Sequence, residues 1–168
     1  DGLLSYININ SIAADIANGS HSFFAWIKTT NPTGDERLFS INDLTGGNIS
    51  LFGIYNGYLD IYNGTYYTGY NKVDDGQWHF VGYTWHKTNK ELTLWKDGVS
   101  NAFFTNVDLT STQTDMVSLG HEFDDWAATN KFSGQIRDIT VWNTTLNNTQ
   151  VADLKNNAVN SSHIYYSD

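Results

Sequence analysis

Apolar and aromatic residues in this chain come in short blocks, separated by clusters of Gly, Asn, Asp and Thr. That rhythm predicts many short strands joined by turns, as in a sandwich or barrel, rather than strands alternating with helices. The pattern places strands at 3–9, 22–28, 37–41, 49–55, 58–62, 78–86, 91–96, 116–120 and 134–142. Asn56 and Gly57 stand between two of these blocks, and Asn-Gly between alternating strands is the strongest short-range hairpin signal. Asp97 and Gly98 repeat the signal after 91–96. The block from Trp78 to Trp85 is bulky at both odd and even positions, so it reads as a central strand covered on both faces. Helical spacing occurs once, over 146–156, where Val151 and Leu154 share a face and Thr145 is the expected N-cap.

Composition narrows the class. The 168 residues are enough for one domain with a substantial core, and we read 1–168 as a single domain. Aromatic residues make up 15% of the chain, which suits a two-sheet β protein. A net charge of −9 disfavours nucleic acid and anionic lipid surfaces, both of which attract cationic proteins. With no Cys, disulfides and thiolate chemistry are excluded. No apolar run reaches the roughly 18 residues of a membrane span, and the start at Asp1, without a signal-peptide pattern, reads as an excised domain or a mature chain. Asn18, Asn48, Asn63, Asn143, Asn147 and Asn160 each open an Asn-x-Ser/Thr triplet, a weak pointer to an extracellular setting in a chain so rich in Asn, Ser and Thr.

His21 to Lys28, Arg37 to Ser40, Gly76 to Val81, Leu92 to Gly98, Leu119-Gly120 and Phe132 to Asn143, taken in that order, resemble the laminin G-like family of concanavalin A-like domains. His21 to Lys28 is similar to that family's early strand ending in Trp, a hydrophobic residue and Lys, and Arg37 to Ser40 stands at its next short strand. Gly76, Trp78, His79 and Val81 match a Gly-x-Trp-His-x-Val pattern, and Leu92 to Gly98 follows as its partner strand. Leu119-Gly120 and the stretch Phe132 to Asn143 complete the order, with one departure: Arg137 stands where many members have Asp, and Asp138 comes next. The resemblance implies an all-β, concanavalin A-like jelly-roll sandwich of two antiparallel sheets with one short C-terminal helix.

It also points to a site. Leu119 to Asp125 is similar to a pentraxin loop that supplies calcium ligands, which implies Glu122, Asp124 and Asp125 as metal ligands, with the backbone carbonyl of Phe123 available. A second contribution is expected from the loop before Ile49, where Asp43 and Asn48 offer oxygens although the pentraxin Asp-Asn pair is missing. Calcium takes six to eight oxygen ligands, and this donor set is all oxygen. Glu122 and Asp124 also invite comparison with the Glu-x-Asp-x-Glu strand of sandwich glucanases, but the third acidic position is Trp126, and retaining hydrolysis needs two carboxylates about 5 Å apart.

Sugar recognition needs an aromatic platform beside planar polar groups, since a pyranose has an apolar face and a rim of hydroxyls. Phe123, Trp126 and His121 beside the acidic loop, and Tyr58 and Tyr66 in the Tyr-rich stretch 55–67, are the ligand-binding candidates, the latter two competing with a plain structural role in a pleated hairpin. The expectation is a non-catalytic extracellular or cell-surface module that binds a glycan or glycoprotein with calcium as cofactor. A calcium-independent adhesive module binding protein is the alternative, and a glycan-degrading enzyme a more distant one.

Overall fold

A computed structural model describes residues 7–31, 33–45, 47–124 and 127–156. In chain order its first half runs β1 (Ile7–Asn8), a 3-10 turn (Asn10–Ile12), α1 (Ala13–Ile16), β2 (His21–Lys28), β3 (Asp35–Asn42), β4 (Asn48–Tyr55), β5 (Tyr58–Tyr62) and β6 (Tyr66–Lys72). The second half runs β7 (His79–His86), β8 (Glu91–Lys96), β9 (Val99–Phe104), β10 (Met116–Leu119), β11 (Glu122–Asp124), β12 (Ala127–Thr129), β13 (Gln135–Trp142) and α2 (Asn148–Asn156). One sheet has the order β1-β10-β3-β4-β5-β6, the other β13-β2-β7-β8-β9, and β11 and β12 form a separate two-stranded ribbon. The strand pairings are antiparallel. Two antiparallel sheets and a short helix near the C-terminus are the sandwich anticipated from the sequence.

Alternation along the strands builds the core. Phe23, Ala25 and Ile27 of β2, Phe39 and Ile41 of β3, Phe52 and Ile54 of β4, Leu59 and Ile61 of β5 and Val81, Tyr83 and Trp85 of β7 meet between the sheets. Phe23 stacks on Phe39 with ring centroids 4.8 Å apart, a contact that adds about 1 kcal/mol to the burial of the two rings. The other faces of β2, β7 and β8 are buried as well, for Phe24, Phe80 and Trp95 pack beneath Leu146, Val151 and Leu154 in and before α2. That second layer is why 78–85 carries bulky residues on both faces. Asn56 and Gly57, with φ of 51° and 86°, supply the left-handed pair that a two-residue hairpin between β4 and β5 requires.

Some local expectations fail for identifiable reasons. Thr145 does not cap α2: its hydroxyl donates to the Trp85 carbonyl at 2.8 Å. Asn147 caps instead, its Oδ1 accepting from the Gln150 amide at 3.0 Å while Gln150 Oε1 accepts from the Asn147 amide at 2.9 Å. The segment 122–124, expected as loop, is the strand β11. Strands β6, β9 and β12 were not expected, since Gly69 and the polar residues around it, and the exposed Val99 and Ser100, mask the alternation. Where Arg137 and Asp138 depart from the family pattern, β13 bulges, Asp138 has φ 53°, and the Arg137 guanidinium lies over Trp78 at 4.6 Å and Trp26 at 5.5 Å.

Candidate functional site

Residues on β3, β4, β5 and β6 that point away from the core line the outer face of the six-stranded sheet. Register rows there run Asp35–Tyr55–Tyr58, Arg37–Gly53–Asp60–Thr68 and Leu51–Tyr62–Tyr66. Their neighbours Phe52, Ile54, Leu59 and Ile61 face inward, so strict alternation puts the charged and tyrosine side chains together outside. Gly53 matters at the centre. A Cβ there would run into the Glu36 carbonyl, so only glycine lets β3 and β4 approach this closely, and the row between Arg37 and Asp60 stays open.

Arg37 crosses that gap. Its Nη1 donates to Asp60 Oδ2 at 3.1 Å and to the Leu51 carbonyl at 3.1 Å, and its Nη2 donates to Asp35 Oδ2 at 2.7 Å. Its Nε lies 3.8 Å from Glu122 Oε1, so β11, folded over this face, adds a third carboxylate to one guanidinium. Arg37, Asp60 and Glu122 are all buried. Burial pushes the Asp60 carboxyl up to about 7 against the pull of Arg37, and burial also raises Asp35 and Glu122. Arg37 itself is held more firmly charged: burial opposes its charge, and Asp60 and Asp35 outweigh it.

Tyrosines border this charged floor. Tyr66 packs against Tyr55 and Tyr62 with centroids 4.7 and 4.6 Å away, its hydroxyl 3.4 Å from Asp35 Oδ2, and it is 46% exposed. Asp124, exposed at the tip of β11, accepts from Thr129 Oγ1 at 2.7 Å, and its charge bears on both Asp35 and Glu122. Tyr58 lies on the same face with Lys72 Nζ 5.3 Å over its ring. An aromatic surface, an exposed carboxylate and a hydroxyl therefore share one open face.

The two loops implicated by sequence meet at Asn42. Its Nδ2 donates to Asn48 Oδ1 at 3.2 Å and to the Phe123 carbonyl at 3.3 Å. Asp43 spends one oxygen on its own turn, accepting from the Thr45 amide and hydroxyl and the Gly47 amide. Glu122 turns away from that junction toward Arg37 and accepts from Asn130 Nδ2. His121 is buried edge-on to Phe123 at 4.8 Å, and burial lowers its pKa. Asp125 and Trp126 lie outside the described residues. Among the described residues no three His, Cys, Asp or Glu side chains converge as a metal centre would need, and the junction offers neutral carbonyl oxygens where calcium needs carboxylates. Asp125, one of the three carboxylates implied for calcium, lies outside these residues, so the described junction carries only part of the implied donor set.

Sequence reasoning missed Asp35, Arg37 and Asp60. The one available signal was Asp60 itself, a carboxylate at the centre of the strand Leu59-Asp60-Ile61, where an unpaired charge could not be buried.

A laminin G family model described as the concanavalin A-like lectin/glucanases superfamily matches residues 1–152. C-reactive protein 1.1 of Limulus polyphemus is 35% identical over 103 residues, 56% of this chain and 43% of the relative, so the match spans less than half of that protein. A heptameric SAP-like pentraxin from Limulus polyphemus shares the fold with a TM-score of 0.67 at 19% identity, over 81% of this chain and 69% of the other. The CBM40 domain of a Ruminococcus gnavus IT-sialidase, solved with alpha2,3 sialyllactose bound, has a TM-score of 0.71 at 18% identity over 90% and 92% of the two chains. The chain belongs to the concanavalin A-like lectin/glucanases superfamily.

Proposed function

We propose that residues 1–168 form a single non-catalytic carbohydrate-binding module that holds a glycan on the outer face of its six-stranded sheet, between Tyr66 and the β11–β12 ribbon. The observation that carries this reading is the half-exposed Tyr66, seated on Tyr55 and Tyr62 with its hydroxyl 3.4 Å from Asp35, on which the charge of the exposed Asp124 also bears. A tyrosine ring stacks on the apolar face of a pyranose, and carboxylates accept from its hydroxyls. Membership in a lectin superfamily and the sialyllactose-bound neighbour support carbohydrate as the ligand class. Tyr58 extends the sheet side of the same face, and Asp125 and Trp126, outside the described residues, stay ligand candidates of the proposal. An extracellular or cell-surface setting, with a glycan or glycoprotein partner, belongs to the same proposal.

Catalysis is not part of it. Glu122 and Asp124 share one side of β11, yet Glu122 is enclosed by Arg37 and Asn130, away from the open face where a glycosidic bond would lie. The contacts proposed for the glycan involve no calcium, and chelation tests that directly. Binding to a glycan array, followed by calorimetry on the best ligand, tests the reading with Tyr66→Ala and with EDTA. We expect a loss of at least tenfold for Tyr66→Ala with the circular dichroism spectrum unchanged, and no effect of EDTA. Loss of binding in EDTA restores the calcium-assisted form, and absence of any glycan ligand leaves the protein-binding adhesive module instead.

A further inference from the structure

We infer that the outer-face site, on the carbohydrate reading above, selects uncharged sugars and rejects glycans whose contacting residue is a sialic or uronic acid. Three carboxylates, Asp35, Asp60 and Glu122, surround the Arg37 guanidinium, and the charge of Asp124 bears on two of them, Asp35 and Glu122. That guanidinium is fully buried and already engaged: Asp60 and the Leu51 carbonyl hold Nη1, and Asp35 holds Nη2. A sugar carboxylate would have to displace Asp35 from Arg37, with the charge of Asp124 bearing on the same place, so its own charge meets like charge on the way to that guanidinium. Lys72 sits over Tyr58 and 3.5 Å from Asp74, and Lys131, whose backbone bridges to Arg37, bears with its charge on His121.

The chemistry of the face favours a donor ligand. Asp124 is exposed and Asp35 half-buried there, and a carboxylate oxygen is satisfied by a hydrogen-bond donor and is repelled by another acceptor. Sugar hydroxyls donate, and a sugar carboxylate at neutral pH only accepts. The protein's net charge of −9 adds long-range repulsion in the same direction.

The test is an array of matched pairs, each a neutral oligosaccharide and its acidic counterpart, such as lactose with alpha2,3 sialyllactose and a xylo-oligosaccharide with and without a glucuronic acid branch. Wild type, Tyr66→Ala and Asp124→Lys are compared at low and moderate salt. Neutral members are expected to bind at least tenfold more tightly than their acidic partners, a preference of about 1.4 kcal/mol. Asp124 is exposed, so Asp124→Lys keeps the fold and narrows or reverses the preference. Acidic members binding as well as neutral ones, with that binding lost in Tyr66→Ala, overturn the selectivity and leave the site standing. Binding that Tyr66→Ala does not touch, or no binding to any glycan, removes the site and the selectivity together.

Discussion

Replacing Arg37 with methionine tests the charged floor directly. Methionine keeps an unbranched stem across the Gly53 gap and deletes the guanidinium with its bonds to Asp60, Asp35 and the Leu51 carbonyl. Asp60, with no exposure, then faces Glu122 and Asp35 without a cation. Removing one partner of a buried ion pair costs about 3–5 kcal/mol, a large share of the roughly 5–15 kcal/mol that holds a domain together. The cost must depend on pH. Burial holds the Asp60 carboxyl up at about 7 in the folded wild type, against an ordinary 3.8, so between those values the folded state binds more protons and stability falls as pH rises. Loss of Arg37 pushes Asp60 higher still and steepens that fall. Urea denaturation at pH 5 and pH 8, followed by tryptophan fluorescence, should therefore show Arg37→Met losing more at pH 8. Adding Asp60→Asn should recover part of the loss at pH 8 and little at pH 5. A loss below about 1 kcal/mol, or one equal at both pH values, would refute the account of Arg37 as the floor's neutralising charge.

Buried His21 should act in the opposite sense. Burial lowers its pKa to about 4 from 6.5, so the unfolded state binds the extra proton between those values and stability drops by about 3 kcal/mol as pH falls through that window. His21→Phe, packed on Tyr83 and Trp85, should remove that acid sensitivity in thermal melts between pH 4 and 7, and an unchanged slope would count against the assignment. Asn147→Ala should cost about 1 kcal/mol in urea melts by uncapping α2, while Thr145→Ala should leave the helix cap intact, with its own smaller effect coming from the lost bond to Trp85.

The fold was legible because its information is local and repeated. Each strand of the core carries its own alternation, and each hairpin signal lies between the strands it joins, as Asn56 and Gly57 do. Strands β6 and β9 escaped because they are edge strands of the two sheets with outward residues facing water, so burial imposes no pattern on one side of them. The cap of α2 escaped for a subtler reason. Thr145 and Asn147 are both good cap types, and the choice between them depends on whether Thr145 is drawn away by the Trp85 carbonyl, a contact spanning 60 residues.

The site was legible only in its parts. Acidic residues near 122–125 and a run of tyrosines near 55–67 stood out as separate stretches, and nothing in either stretch says that Tyr66 and Asp124 belong to one surface. What joins them is cross-strand register. Asp35 lies opposite Tyr55, Arg37 opposite Gly53 and Gly53 opposite Asp60, so a slip of one residue in any pairing would send Asp60 into the core and Ile61 into water. The same rule explains the charges. An isolated buried Asp60 is untenable, and an isolated buried Arg37 equally so, so the fold that buries the hydrophobic faces of β3 to β5 must bring the two together. Glu122 adds a negative charge beyond what that pairing needs. Its contact with Arg37 holds the ribbon over the sheet and so brings the exposed Asp124 within electrostatic reach of Asp35, beside which the Tyr66 hydroxyl lies, and that open combination is what directs the search for a hydroxyl-bearing ligand to this face.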